Sequence, residues 1–455
     1  MNSSLLAAPK LRDIPAIAVK EDWSVVYGEK GSHDWLVDMA VDSEGNIYEA
    51  IIVSSSLTNI VKYNSRGELL WQKPYDSTED VWYWPTDLFI DKEGNIYLTG
   101  SLEFDSSTTA ITTTSYTKDG RLRWTKYVSD GHARAMAEDS LGNIYICGWT
   151  GQFSSDDDAL IVGYNQQGEL LDYVIEPKPE QTTAHSLAID KDDNIYIVTS
   201  GYYTGDYYDI VTIKYDHSLQ KIWEARYYSN ENAKDYGHKI VAAEDGSIYV
   251  LGVSNNSHEL VLLKYRQNGD QVEEVWRNRF GDGLVDHWYD SEYEMRLVLD
   301  KAGDIYVAAS GDDLSQTSKW NIYLLKYDQV SGDIIWQDQF NDLDIDDQQG
   351  PSLVIDAENN IFLAGYSGEE GHEHFLIKYD TNGNRQWIQT HASLGGGFSS
   401  ASYGTKLALD PQGGIIAAFG SSQIDNFDDV LTIKYVQPSK KQLPSLPFHV
   451  PVISK

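Results

Sequence analysis

The chain has 455 residues, with 35 Lys and Arg against 70 Asp and Glu, a net charge of −35 and a pI near 4.5. A surface that negative repels nucleic acid and anionic membranes, so neither is expected as a partner. The one cysteine, Cys147, excludes an intrachain disulfide and a multi-cysteine metal site. No apolar run approaches the roughly 18 residues of a membrane span.

Residues 1–22 read as an N-terminal extension. Lys10, Arg12 and Asp13 interrupt it and no continuous apolar stretch appears, so no secretory signal is recognisable. The expectation is a soluble protein, cytoplasmic or exported by a leaderless route, with the compartment open. Trp23-Ser-Val-Val-Tyr27 follows as a short strand. Next comes the phrase on which the chain is built, Asp42-Ser-Glu-Gly-Asn-Ile-Tyr48, an acidic turn between two apolar runs. This is the pattern of a tight antiparallel hairpin.

The phrase returns as Asp91–Tyr97, Asp139–Tyr145, Asp190–Tyr196 and Asp300–Tyr306, and more loosely as Ala243–Tyr249, Asp356–Phe362 and Asp410–Ile416. Its isoleucine recurs at 47, 96, 144, 195, 248, 305, 361 and 415, in steps of 49, 48, 51, 53, 57, 56 and 54 residues. Two positions earlier stand Gly45, Gly94, Gly142, Asp193, Gly246, Gly303, Asn359 and Gly413, all types that tolerate positive φ. Each unit then offers a third strand ending in tyrosine, from Tyr63 to Tyr435. In most units a fourth follows, marked by Trp71, Trp124, Trp223, Trp276, Trp336 or Trp387. The third unit has Asp172-Tyr173 at that point, and its packing is expected to differ.

After Tyr435 the chain enters a segment, 437–455, with Pro438, Pro444, Pro447 and Pro451, which cannot supply a fourth strand. Trp23–Tyr27 reads like Trp71–Tyr75 and Trp124–Tyr127. The expected architecture is therefore all-β, one eight-bladed β-propeller over 23–436. Its blades are four-stranded and antiparallel, and the N-terminal strand completes the last one. The proline-spaced tail is expected to lie extended, to engage a partner, or to remain a plain end.

Val41–Tyr48 and Ile377-Lys-Tyr-Asp-Thr-Asn-Gly383 resemble the bacterial β-propeller repeat often called SBBP. Tyr327-Asp-Gln-Val-Ser-Gly-Asp-Ile-Ile-Trp336 resembles the tryptophan-docking phrase of PQQ-type repeats, which build eight-bladed propellers. The resemblance spans 23–436 and implies architecture more than activity. PQQ dehydrogenases would imply a paired-cysteine and calcium site, and with Cys147 alone PQQ is not expected.

In such a blade the first-to-second turns are short here, whereas the second-to-third loops and blade connections are long and varied. Length concentrated on one face points to binding there. Six tryptophans fall in or beside that face, Trp35, Trp82, Trp84, Trp149, Trp288 and Trp320, with Tyr83, Tyr202, Tyr203, Tyr207, Tyr208 and Tyr289. Singly they fill gaps between blades; together they suggest an aromatic rim. Aligning the first strands brings Arg134, His185, His238, Lys239 and Arg296 of blades three to six towards the axis. Asp38, Asp87 and Lys406 come from blades one, two and eight. These residues could hold an anion, do acid–base work, or merely pair with one another in a wet channel.

No metal site is assigned. His372-Glu-His374 lacks a third ligand. Asp342–Asp346 resembles a calcium loop but has Asp347 where glycine is needed, so calcium is left open and no other cofactor is indicated. Asp156–Asp158 reads as a solvated tip. The favoured function is binding of a small molecule, glycan or protein on the elaborated face. The alternatives are an enzyme at the channel mouth (lyase, hydrolase or specialised-metabolite cyclase), with His185 or His238 as acid–base and Arg134 or Arg296 holding an anionic group, and a structural subunit of a larger assembly.

Overall fold

The acidic hairpin is the local unit from which the fold grows. In a computed structural model of the chain, the Asp42 carboxylate accepts the N–H groups of Glu44 and Asn46 at 2.9 Å, the Asn46 amide at 2.7 Å and the Tyr48 hydroxyl at 2.9 Å. One side chain thus satisfies a whole turn and ties it to the strand that leaves it. Asp190 repeats the pattern in blade 4. In blade 5, where Ala243 stands in place of the aspartate, Asp245 accepts the Ser247 N–H at 2.9 Å instead. All eight positions singled out for positive φ have it, from 60° at Asp193 to 87° at Gly303.

The structure describes residues 19–437 except 29–30, 54–56, 76–81, 106–107, 152–156, 177–181, 203–206, 231–232, 255, 257–258, 270, 282–294, 313–319, 341–347, 368–372, 393–404 and 422–428. Among them are no helices, and 32 strands form eight antiparallel four-stranded sheets. The first strands of successive blades pack against one another around a central axis. They are Asp34–Val41, Trp82–Ile90, Gly131–Glu138, Thr182–Ile189, Tyr236–Ala242, Met295–Leu299, Gln348–Ile355 and Lys406–Leu409. The last blade is closed as expected: Lys20–Tyr27 pairs antiparallel with Asp429–Val436, Tyr27 opposite Val430 and Lys20 opposite Val436.

The core lies between blades. Ile47–Val53 is buried along its whole length because both faces of a blade are covered by neighbours. Each fully enclosed aliphatic side chain there contributes about 1.5–3 kcal/mol.

The outer tryptophans knit blade to blade. Trp23 donates its indole N–H to the Ser65 carbonyl at 3.1 Å, Trp124 to that of Gln166 at 3.0 Å and Trp336 to that of Thr381 at 3.1 Å. Each acceptor lies in the third-to-fourth turn of the next blade, and each indole covers that turn's glycine. A Cβ on Gly168 would come within 2.7 Å of Trp124, at a φ of +77°. Trp23 therefore seals the ring twice, through its strand and through its docking onto blade 1.

Blade 3 departs from this, as Asp172 and Tyr173 suggest. Asp172 holds the tryptophan's register position, opposite Gly163. Because Gly163 leaves room, the Tyr145 ring lies against it, and the Tyr145 hydroxyl donates to His217 O at 3.0 Å. His217 is the blade 4 equivalent of Gln166, so a phenol replaces an indole. The turn glycine is correspondingly Leu219, 2% exposed with φ 55°.

Candidate functional site

A β-bulge recurs at the middle of the inner strands. The pairing register slips between Leu36 and Asp38, Pro85 and Asp87, Ala133 and Ala135, Ala184 and Ser186, and Gly237 and Lys239. In blade 7 it slips between Gln349 and Ser352. A bulge lets two successive residues escape strict alternation. Thr86 with Asp87, Arg134 with Ala135, and His185 with Ser186 therefore all reach one axial cavity of about 320 Å³.

All eight blades line this cavity. Asp38, Arg134, Lys239, Arg296, Ser352 and Lys406 complete its polar wall, with Met39, Leu353 and Leu407 beside them. Seven of the eight axial residues expected from the sequence thus meet in one place, and His238 stands just behind. It is 2% exposed, with its ring centroid 5.9 Å from that of His185. Neither His238 ring nitrogen has a hydrogen-bond partner among the described residues. Thr86, Ser186 and Ser352 stand at the same two aligned positions, and the bulge that turns both towards the axis is what the sequence did not announce.

The two sides of the cavity differ electrostatically. Asp38 is approached by Lys406 Nζ at 3.2 Å and accepts the Leu88 N–H at 3.0 Å. Asp87 accepts the Met136 N–H at 2.7 Å. Burial first, then the neighbouring Asp38 carboxylate, raises the Asp87 carboxyl well above the usual carboxylate range, so the Asp38–Asp87 pair holds a proton towards neutral pH. The opposite arc carries Arg134, Lys239 and Arg296. Burial, with Lys239 and Arg134 nearby, pushes His238 down to about 3. His185 is lowered by burial, His238, Arg134 and Lys239. Both imidazoles are neutral at pH 7, and an anion placed against them would raise both.

Among the tryptophans expected on the rim, Trp149 is enclosed. It is 3% exposed, stacked on His132 at 5.1 Å and covered by the Arg134 guanidinium 4.6 Å from the ring centre. It holds Arg134 from behind, and the correction follows from its place on a second strand covered by its neighbours. Trp35 is half-buried, with His33 stacked at 6.2 Å; Trp82 is 49% exposed and stacked on half-buried Trp84 at 6.2 Å. Trp288, the side chain of Trp320, Tyr203, Tyr289, His372, Asp342–Asp346, Asp156 and the proline-spaced tail lie outside the described residues.

His374 is buried beside Phe419. Asp157 is also buried, not solvated: its backbone carbonyl accepts the Thr182 N–H, tying the loop end to the first strand of blade 4. Among the described residues no three His, Cys, Asp or Glu side chains gather as a metal site.

No family model matches the chain, and no curated protein matches it in sequence. Solved structures do. The Dos1 propeller superposes with a TM-score of 0.54 at 10% identity, covering 92% of this chain and 96% of that one. A quinohemoprotein alcohol dehydrogenase from Pseudomonas putida gives 0.37 at 12% identity over 92% and 78%. The polysaccharide lyase Uly1 gives 0.46 at 9% over 88% and 89%. At 10% identity the likeness to the Dos1 propeller is one of fold; this chain is an eight-bladed β-propeller by its own eight sheets, and the SBBP resemblance gains no sequence-level support.

Proposed function

We propose that the protein is a binding module whose axial cavity takes a small anionic ligand. One observation carries this. A chain of net charge −35 places Arg134, Lys239, Arg296 and Lys406, from four different blades, on the wall of a single cavity with only Asp38 and Asp87 as acidic members. A local field opposite in sign to the whole draws an anion past a repelling surface into the cavity. Charge-assisted hydrogen bonds to a carboxylate, sulfate or phosphate contribute about 1.5–3 kcal/mol each.

Calorimetric titration of the full chain with citrate and with inorganic phosphate tests the reading. Binding is expected, weakened about tenfold or more in Arg134→Ala and in Arg296→Ala. Affinity should fall as pH rises from the acid range to above neutral, because the Asp38–Asp87 pair then loses its retained proton and adds negative charge. Asp87→Asn should flatten that fall. Absence of binding, or equal affinity in the arginine variants, would overturn the proposal.

A second reading, an enzyme in the same cavity, draws support from Asp87. A carboxyl that keeps its proton beside a basic arc is placed to act as a general acid on a bound anion. In that case the acid is Asp87 and neutral His185, on the cavity wall, positions the ligand.

A further inference from the structure

We infer that the ligand is a saccharide with a single acidic end, its neutral rings lying on Trp82 and Trp84 and its acid group held by the basic arc of the cavity. This rests on the anion-binding reading and specifies it.

The inner strand of blade 2 connects the two parts of such a site. Trp82, Trp84 and the bulge at Thr86 and Asp87 follow one another along Trp82–Ile90, and Thr86 and Asp87 line the cavity. Same-face neighbours on a strand are about 6–7 Å apart, so the indoles run outward from the cavity wall. Their rings stack at 6.2 Å with an interplanar angle of 25°. Trp82 remains 49% exposed, whereas Trp223 and Trp387, which serve packing between blades, are 6% and 5% exposed. Trp35 of blade 1 packs on the same core cluster as Trp84, and His33 stacks on Trp35. An aromatic strip of Trp82 and Trp84 thus lies on the strand that carries Asp87, with Trp35 on the neighbouring blade's strand that carries Asp38.

A sugar ring suits this strip because its C–H face is apolar and its rim carries hydroxyls. An indole takes the face, while Thr86, Asp38 and the protonated Asp87 offer donors and acceptors to the hydroxyls. The basic residues Arg134, Lys239 and Arg296 belong to blades 3, 5 and 6, which matches one acidic end meeting them with neutral rings behind it. The net charge of −35 excludes the polyanionic version. A chain acidic at every sugar would lie across a repelling surface, whereas one terminal acid meets only the local basic arc.

The test uses the full chain and four probes: lactobionate, a disaccharide with one carboxylate; a lactose sulfate monoester; lactose; and gluconate. Titration followed by tryptophan fluorescence should show lactobionate or the sulfate ester binding about tenfold tighter than gluconate, with lactose weak. In a Trp82→Ala/Trp84→Ala variant the disaccharide acid should fall to the affinity of gluconate, which itself stays unchanged, and Trp82→Phe/Trp84→Phe should recover most of the gain. Gluconate binding as tightly as the disaccharide acids in the unaltered protein would overturn this inference and leave the anion-binding reading standing. Failure of all the acidic probes together with citrate and phosphate would overturn both.

Discussion

The Tyr145 hydroxyl donates in blade 3 the hydrogen bond that an indole N–H donates in blades 2, 6 and 8. Tyr145→Phe should therefore cost about 1 kcal/mol, read as a lower urea midpoint. Tyr265→Phe is the control, because the Tyr265 hydroxyl is buried with no partner among the described residues, and its removal should cost nothing. Equal losses in the two variants would contradict the assigned role. At this scale the sequence was readable where a residue repeats. Eight turn positions of Gly, Asp or Asn announced positive φ because few residue types tolerate it. The substitution of phenol for indole was not readable, because it depends on Gly163 opening space from another strand.

Between elements, the inner-strand bulge and the ring closure decide the architecture. The bulge left a trace in the sequence. Gly100, Gly148 and Gly252 lie where a Cβ would come within 2.3, 1.9 and 2.3 Å of the carbonyls of Trp84, His132 and Tyr236. Glycine on a second strand was thus the sign of a displaced first strand, but it cannot be told by eye from an ordinary weak point. The closure was legible because the last unit lacks a fourth strand and the first residues supply one.

At that seam lies Glu49, wholly buried, accepting from Thr432 of blade 8, with its other oxygen unpartnered among the described residues. The other blades have Leu98, Ile146, Ile197, Val250, Val307, Leu363 and Ala417 at this position. Burial raises its pKa from 4.5 to about 7. Between those values the folded protein holds a proton that the unfolded chain has lost, so stability falls with rising pH by about 1.4 kcal/mol per unit, about 3 kcal/mol in all. Glu49→Gln should remove this slope and melt higher than the unaltered protein at pH 8 but not at pH 4. A difference in Tm that is the same at both pH values would contradict it.

The whole molecule is a negative ring around a cavity of opposite sign. Composition alone showed the first half. The second came from aligning units, since Arg134, Lys239 and Arg296 lie 162 residues apart at the extremes (296 − 134) and meet only because the ring closes. His238 shows the limit of that alignment: register placed it at the axis, but it stands behind His185 with its ring buried. The most direct measurement is an anomalous difference map from a crystal of the protein soaked in selenate. The account predicts a selenium peak in the axial cavity, within hydrogen-bonding reach of Arg134, Lys239 or Arg296, and its loss in Arg134→Ala/Arg296→Ala. Peaks confined to the outer surface, or a cavity peak unchanged in that variant, would contradict it.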